Sequence, residues 1–274
     1  MNRLLRIEWN KMFYNKGTRI FLILYFALIG LMGIILPNIK PNINGMEIDF
    51  IKLGALNFPV IWHNITWLIS FGKFFLAIII INNITNEYSF GTFKQNTIDG
   101  LTKKEFLGTK LLMNLIFALF STLLVAIIVI SLGATFAENF DFTQGIEFLL
   151  GYFVEICTYI SFAVFLSFLL RKSTFAILLL FIWKIIEWII IGIEYFTKNK
   201  LNPSPEESTT FTTYLPLSAN SNIIGFPPGS ISQYLMGGKF FQDSSVSWDY
   251  LTINVIYTIL FLGLSYLIVK KRDL

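Results

Sequence analysis

The stretch NEYSFGTFKQNTIDGLTKKEFLGTKLL, residues 86–112, is a polar passage set between two long apolar runs. Within it, Leu101-Thr102-Lys103-Lys104-Glu105-Phe106 carries a complete helix-start signature. The Thr102 hydroxyl is placed to cap the Glu105 amide while the Glu105 carboxylate reaches back to Thr102, and Leu101 and Phe106 fall at the two staple positions. A helix begun there meets no breaker before the apolar run that follows Lys110. From 103 to 132 it is about 45 Å long at ~1.5 Å per residue. That exceeds the ~30 Å hydrocarbon layer of a bilayer, so its start must stand outside the membrane. Asp99-Gly100 supplies a turn just before it, and residues 82–96 are expected to form a short helix of their own. The passage reads as helix, turn, helix.

Its flanks show why a bilayer is the right comparison. The chain has 274 residues, of which 55% are hydrophobic and only 14% charged, with 29 Phe. A soluble domain has about a quarter of its residues charged. Six segments reach the roughly 20 apolar residues that a spanning helix needs: 18–36, 60–81, 111–132, 148–170, 174–194 and 249–269. The expected fold class is all-α, a single polytopic transmembrane domain over residues 1–274. The first run is too long for a signal-peptide core and has no small-residue cleavage site.

Orientation follows from Lys and Arg placement. With the N-terminus inside, the inner pieces hold Arg3, Arg6, Lys11, Lys16, Arg19, Lys94, Lys103, Lys104, Lys110, Arg171, Lys172, Lys270, Lys271 and Arg272. The outer pieces hold only Lys40, Lys52, Lys198, Lys200 and Lys239. Both termini and residues 82–110 are therefore expected in the cytosol. Positive-inside bias accounts for the net charge of +4, and no nucleic-acid partner is expected. Residues 3–16 space Leu4, Leu5, Trp9, Met12 and Phe13 as one helical face, which reads as an interfacial helix leading into span 1, the alternative being a plain extension of that span. The outer loop, 195–248, divides into a polar half, KNKLNPSPEESTTFTTY, and an apolar, Gly- and Pro-broken half, NSNIIGFPPGSISQYLMGGKFF. The second half is expected either to dip into the outer leaflet or to fold as a lid.

Four ionisable residues fall inside the spans: Lys73, Glu155, Lys184 and Glu187. Each costs about 2.5–3.5 kcal/mol on insertion scales, so unpaired exposure to lipid is disfavoured. Their signs balance, and the i,i+3 spacing of Lys184 and Glu187 suggests a pair on one face of span 5. Lys73 is placed either to snorkel or to pair with Glu155. His63, beside Trp62 and near Trp67, reads as part of an outer aromatic belt. The lone Cys157 reads as a small core residue. Asn64-Ile65-Thr66 matches a glycosylation sequon, but its place at the end of a span argues against use. Lys103 and Lys104 sit in a first helical turn, where the dipole disfavours cations; lipid phosphate, an acidic docking surface or plain solvation would each account for them.

Glu87-x-x-x-Gly91-Thr92-x-Lys94, then Leu101-Thr102-Lys103-x-x-Phe106-x-x-x-Lys110, resembles the cytosolic segment of ABC transporter permeases of the type-two exporter family, the drug, polysaccharide and antibiotic export class. The six-span topology with a long outer loop before the last span is similar too. The chain departs from the family pattern at Gly100, where proline is common. The resemblance implies a permease subunit in a plasma (inner) membrane of bacterial type, with a separate ATPase partner in two copies and a second permease copy, identical or related. ATP and Mg would be bound by that ATPase and no cofactor by this chain. Indeed no G-x-x-x-x-G-K-[ST] phosphate loop occurs; Gly237-Gly238-Lys239 is only a fragment of one. The resemblance further implies that Glu87, Gly91, Thr92, Lys94, Lys103 and Lys104 couple to the ATPase, with the first three at its cleft. The alternative is an ion-coupled secondary carrier drawing on the intramembrane Lys and Glu residues. An intramembrane hydrolase fits worst, because a single His at a span end supplies neither a dyad nor a metal site.

Overall fold

The computed structural model describes residues 2–38, 40, 42–43, 46–47, 49–98, 100–201, 211–230 and 240–271. The regular structure among them is helical, apart from a two-residue antiparallel ladder, β1 (Asn42–Ile43) with β2 (Met46–Glu47), and an isolated antiparallel bridge between Gly229 and Phe241. Six helical segments are long and apolar enough to cross a membrane: Lys16–Ile35, Val60–Ser89, Lys103–Phe136, Glu147–Leu170, Ser173–Thr197 and Trp248–Lys271. The chain is a multi-pass helical membrane protein.

The N-terminal segment is a helix in its own right. Helix α1 (Asn2–Tyr14) stops at Asn15, whose Oδ1 accepts from Thr18 N at 3.1 Å and so caps α2 (Lys16–Asn38). The second span is not one rod. It is α3 (Val60–Ser70) and α4 (Lys73–Ser89), interrupted at Phe71–Gly72. Helix α4 runs straight on through residues 82–89, so the separate helix expected over 82–96 does not form. The chain breaks instead at Gly91, whose φ of 69° lies in the left-handed region, and makes a short α5 (Thr92–Ile98). Gly100, at φ 95°, completes the turn. Proline is locked near −65°, so the departure at Gly100 has a backbone reason: this turn requires a residue that proline cannot replace.

Helix α6 (Lys103–Phe136, 34 residues) starts where the sequence places it. Thr102 Oγ1 accepts from Glu105 N at 3.2 Å, and Thr102 N donates to Glu105 Oε2 at 3.0 Å. Phe106 is buried and Leu101 half-buried in the same core cluster. At ~1.5 Å per residue α6 is about 51 Å long. Helix α7 (Glu147–Leu170) closes on Arg171, itself left-handed at φ 56°. Helices α8 (Ser173–Leu201), α9 (Pro216–Ser221) and α10 (Trp248–Lys271) complete the described set, with a short 3-10 turn at Phe211–Tyr214.

Helix α7 is the central post, packed against α3, α4, α6, α8 and α10. Of its apolar window 67% is buried, as is that of α3–α4, against 17% for α2 and for α8. Those two helices keep broad apolar faces uncovered. A hydroxyl triad knits three helices in the interior: Tyr25 Oη of α2 bonds Ser121 Oγ of α6 and, at 3.0 Å, Tyr152 Oη of α7, which is 2.9 Å from Ser121 Oγ.

The loop before the last span enters the bundle across the junction of its two halves: Leu217, Ser218 and Ala219 of α9 are buried, and so are Asn220, Ile223 and Ile224 at the start of the Gly/Pro-broken half. Residues 202–210 and 231–239, including Gly237-Gly238-Lys239, lie outside the described residues. On either side of 231–239, Ser230 N donates to Phe240 O at 2.9 Å and Gln242 N to Pro228 O at 3.2 Å around the antiparallel bridge Gly229–Phe241.

Because both capping-box bonds form, Thr102→Ala is expected to destabilise the protein by about 1 kcal/mol and Thr102→Ser to restore most of it. Thermal unfolding of the three proteins in one detergent checks this; equal midpoints would contradict it.

Candidate functional site

The residues gathered at the basic end of the bundle come from three helices. Glu8 and Lys11 are i,i+3 on α1, Asn83 and Glu87 are i,i+4 on α4, and Lys110 lies two turns into α6. Lys110 Nζ bonds Glu8 Oε2, Glu87 Oε1 at 2.5 Å and Asn83 Oδ1 at 3.1 Å. Lys11 Nζ bridges Glu8 Oε1 and Glu87 Oε1, both at 3.1 Å. Lys110, Glu87 and Glu8 are 2%, 3% and 5% exposed, so this is an interior cluster of two cations and two anions with no net charge.

Burial raises the pKa of the Glu8 carboxyl, but Lys110 and then Lys11 outweigh it and hold the group below its ordinary 4.5. For Lys11, burial works to lower the pKa, and Glu87 and Glu8 outweigh it and raise it above 10.5. Charges buried in this manner are tolerated only while each keeps its partners.

An aromatic layer lies beside the cluster. Tyr88 and Phe93 are 5.2 Å apart between ring centroids, Phe93 and Phe106 4.6 Å, and Phe168 of α7 meets both Tyr88 and Phe106 at 6.3 Å. The Arg171 guanidinium sits over the Tyr88 ring at 5.2 Å. The α4–α5–α6 hairpin is thus held from below by charge and from the side by rings.

The sequence-predicted coupling residues separate into two groups on this frame. Glu87 is buried within the cluster, so its carboxylate holds the hairpin to α1 and α6 rather than facing an outside surface. Thr92 turns inward as well, its Oγ1 donating to Glu87 O at 3.4 Å. Gly91 is exposed at the break, and Lys94 lies on α5. Lys104 is exposed, while Lys103 Nζ donates to Lys270 O at 3.5 Å and fastens the start of α6 to the end of α10. Sequence reasoning missed the other members of the cluster: Lys11 and Lys110 counted only toward the basic side of the chain and its motif, and Glu8 and Asn83 not at all. The signal for Glu8 was a lone acid three residues before Lys11 on an otherwise basic amphipathic helix.

The intramembrane charges form a second polar layer, where α9 enters. Lys73, the first residue of α4 after the break, bonds Glu155 of α7 and, at 3.0 Å, Asn220 Oδ1. Asn220 Nδ2 donates to Glu155 O at 2.9 Å and reaches Asn254 Oδ1 of α10 at 3.3 Å. The expected Lys184–Glu187 pair is absent among the described residues; both side chains turn to α9 instead. Glu187 accepts from Leu217 N at 3.0 Å, Ser218 Oγ at 2.8 Å and Trp183 Nε1 at 2.9 Å. Lys184 Nζ donates to Leu217 O at 3.2 Å. The start of the inserted helix offers the free Leu217 N–H to Glu187, and the Leu217 carbonyl, which also accepts from Ser221 Oγ at 3.0 Å, takes Lys184.

His63 is likewise no belt residue. It is 4% exposed, stacks on Phe148 at 4.5 Å, and its ring nitrogens meet Ser244 Oγ at 2.5 Å and Gly225 O at 3.3 Å. It ties the outer loop to α3. Asn64 spends its amide on Ala55 O at 2.9 Å, and no three His, Cys, Asp or Glu side chains among the described residues come together to hold a metal.

Neither the protein-family models nor the curated proteins compared with the chain give a match.

Two outcomes follow from these contacts. Lys110→Met should destabilise the protein by roughly 3–5 kcal/mol, since it strands two buried carboxylates, whereas Lys110→Met with Glu87→Leu and Glu8→Leu should cost less. Lys184→Met and Glu187→Leu, which meet no more closely than through their common partner Leu217 on α9, should each destabilise the protein, and the double variant should cost less than the sum of the two. Unfolding midpoints in matched detergent read both sets. The pH dependence has a definite sign. Glu8 is depressed when folded, so its contribution is present above the unfolded value near 4.5 and is lost as pH falls below it. Lys11 is raised, so its contribution is present below 10.5 and is lost only as pH rises past its folded value. Stability should hold a plateau between those limits, and in Glu8→Gln the acid-side loss should shrink.

Proposed function

We propose that this chain is the membrane-spanning permease subunit of an ATP-driven ABC exporter, working as a dimer with a separate ATPase subunit that docks on residues 82–110. The observation that carries the reading is the helix–turn–helix at the basic end, locked to α1 and α6 through Glu8, Lys11, Glu87 and Lys110. A segment that only joined two spans would need no buried ion cluster beneath it. A segment that takes a push and hands it to the spans does need one, because force on a loose loop is lost in the loop. In this reading Glu87 and Thr92 act as the inner fixings and Gly91, Lys94, Lys103 and Lys104 form the face offered to the partner. ATP-driven closure of the ATPase pair would bias a two-state equilibrium of the spans by contacting one state more favourably. The broad apolar faces of α2 and α8 suit contact with the second permease copy and with lipid.

A second reading, an ion-coupled carrier, draws support from Lys73 and Glu155, buried beside the interruption of the second span. Interrupted helices with ionisable side chains at membrane depth commonly hold a transported ion.

The discriminating experiment isolates the chain from its native membrane in mild detergent and identifies what accompanies it by mass spectrometry. A P-loop ATPase is expected in the complex. Lys104→Glu should lower its recovery about tenfold, corresponding to roughly 1.4 kcal/mol of docking free energy, with no change in the unfolding midpoint. Recovery without any ATPase, together with ion-gradient dissipation by vesicles containing the chain alone, would establish the carrier instead.

A further inference from the structure

The inference concerns a groove on the outside of the bundle, away from both polar layers. It encloses 390 Å³ between α6, α7 and α10, and its lining includes Gly108, Leu111, Asn114, Cys157, Ser161 and Thr258. The walls are almost wholly apolar. The polar atoms of Ser161 and Thr258 are already committed, Ser161 Oγ to Thr158 O at 2.8 Å and Thr258 Oγ1 to Asn254 O at 2.9 Å. Asn114 differs. It is 9% exposed, and its Nδ2 has no hydrogen-bond partner among the described residues. A buried donor without an acceptor is costly and rare, and Nδ2 is itself closed off from solvent, so no water reaches it as it stands. The groove opens sideways, since Leu115 on its edge is 42% exposed.

Depth and charge narrow the occupant. Asn114 lies one helical turn, about 6 Å, beyond Lys110, which belongs to the ion cluster at the basic end. The amide therefore sits just inside the hydrocarbon boundary, at the level of the ester carbonyls of a glycerophospholipid. Further out on the same side, Lys104, Lys270 and Lys271 are exposed, and Lys103 joins the ends of α6 and α10 through Lys270 O. Cations grouped at that level attract anionic headgroups. We infer that the groove binds one anionic glycerophospholipid of the inner leaflet: an acyl chain fills it, the Asn114 amide, whose Nδ2 is closed off in the empty groove, turns to donate to an ester carbonyl, and the phosphate lies among Lys104, Lys270 and Lys271. The inner leaflet is the one that the Lys and Arg bias assigns to the basic end. This lipid would be a resident of the subunit's outer wall and is independent of what the protein transports.

The test uses the full chain in phosphatidylcholine nanodiscs containing phosphatidylglycerol with a diazirine on one acyl chain. After illumination, adducts are mapped by peptide mass spectrometry, and lipids retained through purification are counted by native mass spectrometry. Adducts are expected to concentrate on residues 108–115, 157–161 and 258–262, with phosphatidylglycerol retained. A Cβ at Gly108 would meet nothing within 4 Å, so the side chain of Gly108→Phe starts in open space on the groove wall and should abolish those adducts, with an unchanged unfolding midpoint showing that it is accommodated. Asn114→Leu keeps the apolar wall and should weaken retention about fivefold, the loss expected of one hydrogen bond. Lys104→Gln with Lys271→Gln should leave adducts in place but erase the preference for phosphatidylglycerol over phosphatidylcholine. Adducts spread evenly over α2, α8 and the groove, or unaffected by Gly108→Phe, Asn114→Leu and the lysine pair, would overturn the proposal. So would a groove free of adducts whose plugging by Gly108→Phe turns a dimer into monomers, which would assign the face to a second copy of the chain.

Discussion

Everything at the basic end depends on four charges that have no other place to go. Glu8, Lys11, Glu87 and Lys110 belong to three different helices, and each carboxylate is shared by both ammonium groups. Removing any one helix from the arrangement would leave ionised groups in an interior that cannot solvate them. The cluster therefore fixes more than a contact: it sets the angle of α1, the point where α4 stops being free to move, and the height at which α6 leaves the bundle. The aromatic layer of Tyr88, Phe93, Phe106 and Phe168 then has only to fill the space that this frame defines.

The second polar layer obeys the same rule with different material. Lys73 is matched by one carboxylate, Glu155, and the rest of its demand is met by an amide from the inserted loop, Asn220. Glu187 and Lys184 are matched by backbone and hydroxyl groups of α9. A short helix buried among spans has N–H groups at its start that need partners, and Glu187 on α8 meets one of them while Lys184 adds a bond to the Leu217 carbonyl. With Asn220 held by Lys73 and Glu155, the polar stretch LSAN can lie inside a bundle this apolar.

Much of the architecture was legible from residues alone. Six apolar runs give six helices, and Thr102 with Glu105 fixes the start of α6, because both are local signals in which a residue's neighbours in sequence are its neighbours in space. The interruption at Gly72 was not legible, since Phe71-Gly72 sits in an apolar run that any hydropathy reading treats as continuous. Glu87 was found as a member of the site but assigned the wrong surroundings. Its partners are separated from it by 76 and 23 residues, and no local pattern indicates whether a carboxylate faces water or a lysine from another helix. The Lys184–Glu187 expectation failed for a related reason. Spacing along a helix shows which side chains can meet, but not what a segment arriving from elsewhere will offer them instead.

The distribution of these polar groups along the chain has a consequence for the order of membrane insertion. Glu8, Lys11, Asn83, Glu87 and Lys110 have all been synthesised by the time the third span enters the bilayer, so the first cluster can close while the second half of the protein is still on the ribosome. Lys73 enters with that first half but must wait for Glu155 in the fourth span and for Asn220 after the fifth. The N-terminal half is thus electrostatically finished early, except for one lysine whose carboxylate comes with the fourth span and whose amide partner comes only with the loop behind the fifth.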